Sequence, residues 1–159
     1  MVMHEDKKIY NDDFLKIPFW NAAFCHRNPT SFIRSDWPED VFKSRFLVCG
    51  PFVHVASLCG LKFAAINTCF SRHWAYNGKN WVLATRDSNN KICVLCYGMS
   101  PEEDNPGVDS LTNTCKGDRH LVEYLKGAVL YSDGGPCMPR FVEGFEGMVH
   151  KRCFEHLIK

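Results

Sequence analysis

No apolar stretch in this chain approaches the eighteen or so residues that a membrane-spanning helix needs, so the sequence predicts no membrane partner. An excess of one charge is missing as well. Nineteen Lys and Arg stand against eighteen Asp and Glu, for a net charge of +1. Whole-chain electrostatics therefore select neither a polyanion nor an acidic partner, although a local basic surface stays open. The opening MVMHEDKKIY is charged and lacks the apolar core of an export signal. Nine cysteines, an odd number without such a signal, predict free thiols in a reducing compartment, nucleus or cytoplasm. Repeats, low-complexity tracts and linkers are absent too, which excludes solenoids and tethered modules. What is present is 45% apolar residues with twelve Phe and four Trp, enough over 159 residues for one folded, soluble domain with its own core.

The centre of the chain, FAAINTCFSRHWAYNGKNWVLATRDSNNKICVLCYGM from Phe63 to Met99, reads as three strands. Phe63–Thr68, Trp81–Arg86 and Ile92–Met99 are short apolar runs, and Asn77-Gly78 and Asp87–Asn90 supply the turns of hairpins between them. Before them, apolar positions 14, 17, 18, 20 and 24 keep a helical face behind an Asn11 or Asp12 cap, with Pro18 kinking or delaying the start. Asn28-Pro29 ends that helix, and Thr30–Arg34 is a short strand. Asp36 then caps a helix whose apolar positions 41, 42, 46, 47 and 48 have helical spacing, and PFVHVASLCG continues it or starts another. His54 in that run reads as a packed core histidine. After the strands, 101–110 is a polar loop, a helix runs from about Asp118 to Gly127, and Ala128–Tyr131 is a buried strand. Pro139–Phe145 is a short helix, Met148–Cys153 a strand, and Phe154–Lys159 begins a helix. Three hairpin strands followed by helix–strand–helix–strand predict an α/β ribonuclease-H-like mixed sheet. Its antiparallel triplet is extended by parallel strands, with flanking helices. Residues 1–60 form an N-terminal helical lead-in and 61–159 the core of a single domain.

Asp133 is the sharpest chemical candidate, because it follows an apolar strand and precedes Gly134-Gly135. Ligand sites of α/β sheets lie beyond the carboxyl ends of strands, although an Asp there also serves to shape a turn or cap a helix. Metal-dependent phosphoryl transfer needs two or three converging carboxylates. The strand end that should supply Asp133 with a neighbour carries Asn67, an amide with one neutral oxygen. His150, Cys153 and His156 are spaced as half of a zinc site without an evident second half, so zinc is the weaker reading beside buried thiol and surface imidazole. Cys93 and Cys96 form a C-x-x-C on a strand; positions i and i+3 point to opposite faces there, so both read as packing. Trp74, Tyr76, Trp81, Arg72, Lys79 and Arg86 place aromatics and bases around the first hairpin. That mixture suits single-strand stacking and phosphate contact, and it equally suits a packed hairpin with a solvated outer face.

Taken in order, these segments resemble the transposase domain of Mutator-like elements (MULE transposases), a DDE-type family on the ribonuclease H fold. The resemblance rests on Ala65-Ile66-Asn67-Thr68-Cys69-Phe70, then Tyr76-Asn77-Gly78, Trp81–Thr85, Asp87-Ser88-Asn89-Asn90-Lys91-Ile92 and Glu102-Glu103. It continues through Ser132-Asp133-Gly134-Gly135 and Cys153-Phe154-Glu155-His156, with Asn28-Pro29 and Phe42–Phe46 upstream. The family implies Mg²⁺-dependent cleavage and transfer of DNA strands at transposon ends, with DNA and further copies of the chain as partners. Asp133 would be the metal ligand, Cys153 and His156 would help place DNA, and Arg72 and Lys79 would contact it. Two departures qualify that. The first family acid falls on Asn67, and the third, a glutamate, lies beyond the Cys-x-x-His, whereas the sequence stops at Lys159. The expectation is therefore a domain with the transposase fold and no strand cleavage. Two alternatives are a fragment of an active transposase and a non-catalytic DNA- or protein-binding module.

Overall fold

A computed structural model describes residues 16–37, 42–59, 62–71 and 77–153. The sheet grows from the turns that the sequence supplies. Asp87 Oδ1 accepts the Asn89 and Lys91 amides at 2.9 and 2.8 Å, and Asn90 takes the left-handed conformation (φ 63°) that Asn tolerates. This turn joins strand β4 (Lys79–Arg86) to β5 (Ile92–Ser100), and β3 (Phe63–Phe70) pairs with β4 on its other side. Both pairings are antiparallel, as expected. Upstream stand helix α1 (Ile17–Arg27), strands β1 (Phe32–Asp36) and β2 (Ser44–Val48), and helix α2 (Gly50–Cys59). Downstream are α3 (Asn105–Lys116), α4 (Arg119–Leu125), β6 (Val129–Ser132), α5 (Met138–Glu143) and β7 (Val149–Arg152).

The described residues form a seven-stranded mixed sheet in the order β1-β2-β5-β4-β3-β6-β7. Strand β6 runs parallel to β3 and β7 parallel to β6, whereas β1, β2 and β5 are antiparallel neighbours. Helices lie against the sheet, which makes the class α/β with flanking helices, compatible with the expected ribonuclease-H-like arrangement. None of the described helices is long and apolar enough to cross a membrane.

Four expectations change. The segment expected to be helical around 41–48 contains β2, and Ser44, Phe46 and Val48 face inward in strict alternation. Pairing on both edges, to β1 and β5, supplies its hydrogen bonds, so tertiary context overrides the helical spacing. The polar stretch 101–110 already contains the start of α3. Asp104 caps it by accepting the Gly107 amide at 2.8 Å, and Pro106 occupies the first turn, where a missing N–H costs nothing. His54 is exposed, because α2 turns Val53 and Ala56 inward. The opposed-face argument for Cys93 and Cys96 also fails. Leu83 pairs with Cys96 and Ala84 with Val94, so Leu95 is an extra residue and the parity of β5 shifts there. Cys93, opposite Thr85, and Cys96, opposite Leu83, consequently share a face. Both are buried and neither is in a disulfide, as packing residues should be. The Phe154–Lys159 expectation lies outside the described residues.

The two faces of the sheet differ sharply. On one, Phe46, Val48, Trp81, Leu83, Leu95 and Leu130 join residues of α2, α3, α4 and α5 in a single core cluster. Within it Trp81 donates through Nε1 to Ser100 Oγ at 2.7 Å, and the Tyr124 hydroxyl bonds Phe63 O and Thr85 Oγ1, both at 2.9 Å. The wholly buried Cys96 thiol is pushed well above its ordinary pKa, chiefly by burial and then by Cys115 beside it. Helix α1 has no buried residue. It touches the other face at the β1–β2 edge, where Asn21 Nδ2 donates to Ser35 Oγ at 3.0 Å.

Candidate functional site

Because β4 runs against both β3 and β5, and β6 runs with β3, the carboxyl ends of β3, β5 and β6 share one edge. Open α/β sheets place ligands beyond such ends. At the end of β5 the chain is held tightly. Ser100 Oγ accepts from Trp81 and donates to Glu102 O at 2.7 Å, and a Cβ on Gly107 would stand 2.9 Å from both Glu102 O and Ser100 Oγ. This anchored turn directs Glu103 back over the sheet, where Thr68 Oγ1 donates to its Oε2 at 2.5 Å.

At the end of β6, Ser132 is buried. Its Oγ accepts the Gly134 amide at 3.0 Å and bonds His150 Nε2 at 2.8 Å, and its carbonyl accepts the Cys153 amide at 2.6 Å. Asp133 is exposed and accepts the Gly135 amide through Oδ1 at 3.2 Å. Gly134 has φ +89°, a conformation that favours glycine. Gly135 answers to space: a Cβ there would meet Glu103 Oε1 at 2.7 Å, with Asp133 Oδ1 3.7 Å away. The two carboxylates thus flank one small cradle that only a glycine leaves open.

Asn67 belongs to the same edge. Ala65 pairs with Tyr131, so two residues further on Asn67 and Asp133 stand at corresponding positions of neighbouring strands, and both are exposed. Glu103 and Asp133 therefore meet at the Gly135 cradle, while Asn67 ends the neighbouring strand on the face opposite Thr68, the residue that holds Glu103. Among the described residues no three His, Cys, Asp or Glu side chains gather as a metal cluster. The fit of the cation that the resemblance implies is judged by this donor set. Two hard carboxylates beside an open cradle suit one Mg²⁺, which keeps several waters and takes one or two protein acids. They do not suit a pair of divalent ions, whose charge needs a third acid. Cys137 faces the same acids, and its pKa is raised, first by burial and then by the nearby charge of Glu103, with Asp104 and Asp133 adding to it. A protonated thiol there is a poor ligand.

The remaining predicted residues divide by position. Lys79 opens β4 at this same edge, with Nζ 3.4 Å above the Phe70 ring. Cys153 is half-buried and extends the β6–β7 pairing through its backbone. Arg72 and His156, like Trp74 and Tyr76, lie outside the described residues. Trp81 is fully buried, so it is a core residue and no stacking platform. The sequence reading did not include Glu103, Thr68 or Arg152 in the site. Arg152 lies over the Gly134 turn, with Nε 2.9 Å from where a Cβ would stand. Glu102-Glu103 directly after a strand was the available signal. No family model, curated protein or solved structure matches this chain.

Proposed function

We propose that this chain is a transposase-derived, ribonuclease-H-like domain of the Mutator type that handles DNA in the nucleus or cytoplasm without cleaving it. The observation that carries this reading is the approach of Asp133 and Glu103 to one glycine cradle at the carboxyl ends of β5 and β6, beside the strand end that carries Asn67. The strand order β5-β4-β3-β6-β7, with β6 parallel to β3, supports the reading, because the resemblance implies a phosphoryl-transfer centre at the carboxyl ends of such strands. Glu103 and Asp133 would hold a single Mg²⁺, which when bound polarises a phosphate oxygen as a Lewis acid. Thr68 holds Glu103 in position, the Gly135 amide holds Asp133, and Arg152 beside the turn offers a charge to a phosphate. Asn67 removes one negative charge from the set, so a second divalent ion lacks the acid that would neutralise it.

Incubation of the purified chain with supercoiled plasmid and Mg²⁺ or Mn²⁺ tests this. The expected result is no nicked product. Metal-dependent nicking that disappears in Asp133→Ala would overturn the reading and make the chain a working nuclease.

A further inference from the structure

The face of the sheet opposite the core is open over most of its width among the described residues, and its chemistry is one-sided. Of all residues in the seven strands, only Asp36 is acidic, and its pairing with the buried Ser44 puts it on the covered face. The open face therefore has no carboxylate at any strand position, in a chain with eighteen acids. It does carry Lys151, opposite Tyr131, and Arg45, opposite Met99. The Arg45 side chain is half-buried, and its Nε finds no acceptor among the described residues. Helix α1, against the same face, contains no acid either and exposes Phe19 and Trp20.

Two tyrosines rise from this face. Tyr97 is 41% and Tyr131 42% exposed. Tyr97 pairs with Val82, which pairs with Asn67, and Tyr131 pairs with Ala65, which pairs with Ala84. The floor between the rings is thus built of small residues. The rings stand three strand spacings apart, roughly 14 Å. Tyr97 is oriented by its hydroxyl, which bonds Asn80 Oδ1 at 3.2 Å. Asn80 and Asn67 add amides that can read base edges. Every base has a face that stacks on an aromatic ring, whereas a duplex keeps those faces inside.

We infer that this open face binds single-stranded nucleic acid, with bases stacked on Tyr97 and Tyr131 and the phosphates drawn by Arg45 and Lys151. The inference deepens the proposed function and rests on it for the class of partner. It moves the stacking surface away from the first hairpin, where Trp81 is buried.

Fluorescence anisotropy of labelled dT20 titrated with the full chain tests it. The expected result is saturable binding that weakens with salt. Tyr97→Ala and Tyr131→Ala should each weaken it at least fivefold, and the pair at least twentyfold. Tyr97→Phe and Tyr131→Phe keep a stacking ring and should bind within twofold of the wild type, which separates stacking from folding damage. Phe52→Ala, an exposed aromatic on α2 at the covered side, should change nothing. If dT20 binds but the tyrosine variants bind equally well, this inference falls while the DNA-handling function stands. If the chain binds neither dT20 nor duplex DNA, both fall. Self-association that buries the face, seen as a dimer in sedimentation that the double alanine variant abolishes, also overturns it.

Discussion

The two faces of this sheet are made by the same strands, yet they obey different rules. On the covered face, Trp81, Leu83, Leu95 and Leu130 are all fully buried and meet four helices. On the open face, one register step away, Asn67 and Tyr97 are exposed. Side chains alternate along a strand, so a single sequence can write a core and a working surface in parallel. The difference teaches where to look for function. Aromatic content alone misleads, because Trp81, one of the aromatics grouped around the first hairpin, is a core residue.

The largest expected effect breaks the covered face. Trp81→Ala removes a fully buried ring and leaves Ser100 Oγ without the donor that helps fix the turn ahead of Glu103. Truncations of this kind cost about 3–5 kcal/mol. Tyr97→Ala, on the open face, should cost about 1 kcal/mol or less. Urea denaturation of the two variants checks the contrast, and comparable losses would mean that the open face is packed after all.

The next effect sharpens the edge where the faces meet. Asn67→Asp adds a third carboxylate to the strand ends that carry Asp133 and Glu103. Without divalent cations it should lower stability by like-charge repulsion. With Mn²⁺ at a hundredfold excess over its dissociation constant, it should gain about 2.7 kcal/mol. Thermal melts with and without Mn²⁺, together with calorimetric titration, measure both parts. A variant that binds Mn²⁺ no better than wild type would show that Asn67 and Asp133 do not converge.

The legibility of this molecule follows the same division. Strands β3, β4 and β5 were readable to within two residues because Asn77-Gly78 and Asp87–Asn90 are local turn chemistry. Helix α4 was readable from Asp118, whose carboxylate accepts the His120 and Leu121 amides. Strand β2 was not. Phe42 and Phe46 mimic a helical face, and only pairing to two distant strands decides the matter. Helix α3 was hidden by Pro106, which reads as a loop until Asp104 is recognised as its cap. In the site, Asp133 was visible as an acid between a strand and two glycines. Glu103 showed only as half of Glu102-Glu103 after a strand, since its place in the site depends on the Ser100–Glu102 hydrogen bond and on Thr68 across the sheet.

Gly135→Ala should have a smaller effect that reports on the cradle itself. Its Cβ would fall 2.7 Å from Glu103 Oε1, so the carboxylate must swing away and give up Thr68. Loss of a hydrogen bond to a charged group costs about 1.5 kcal/mol or somewhat more. Glu103→Ala added to Gly135→Ala should then cost almost nothing more, because the interaction is already gone. Fully additive losses in a double-mutant cycle would place Glu103 elsewhere.

The smallest effect lies on the outer surface of the helix layer and marks the limit of the contrast between faces. Asp109 on α3 and Arg140 on α5 form a two-pronged ion pair, with Nε to Oδ1 at 2.5 Å and Nη2 to Oδ2 at 2.8 Å. Both residues are well exposed, so solvent screens them. The hydrogen bonds from Arg140 hold the Asp109 carboxyl below its ordinary pKa. A group whose folded pKa is depressed adds stability above its unfolded value, near pH 3.9, and loses it as the pH falls through the folded value. Melting temperatures of wild type and Asp109→Asn should therefore coincide in strong acid, separate as the pH rises through the folded pKa, and reach their full gap above about pH 4. The gap should shrink in 1 M salt, where screening acts within roughly 3 Å. A gap that keeps its size in salt would make this pair a structural clamp between α3 and α5, and the helix layer would then owe its hold on the sheet to more than apolar packing.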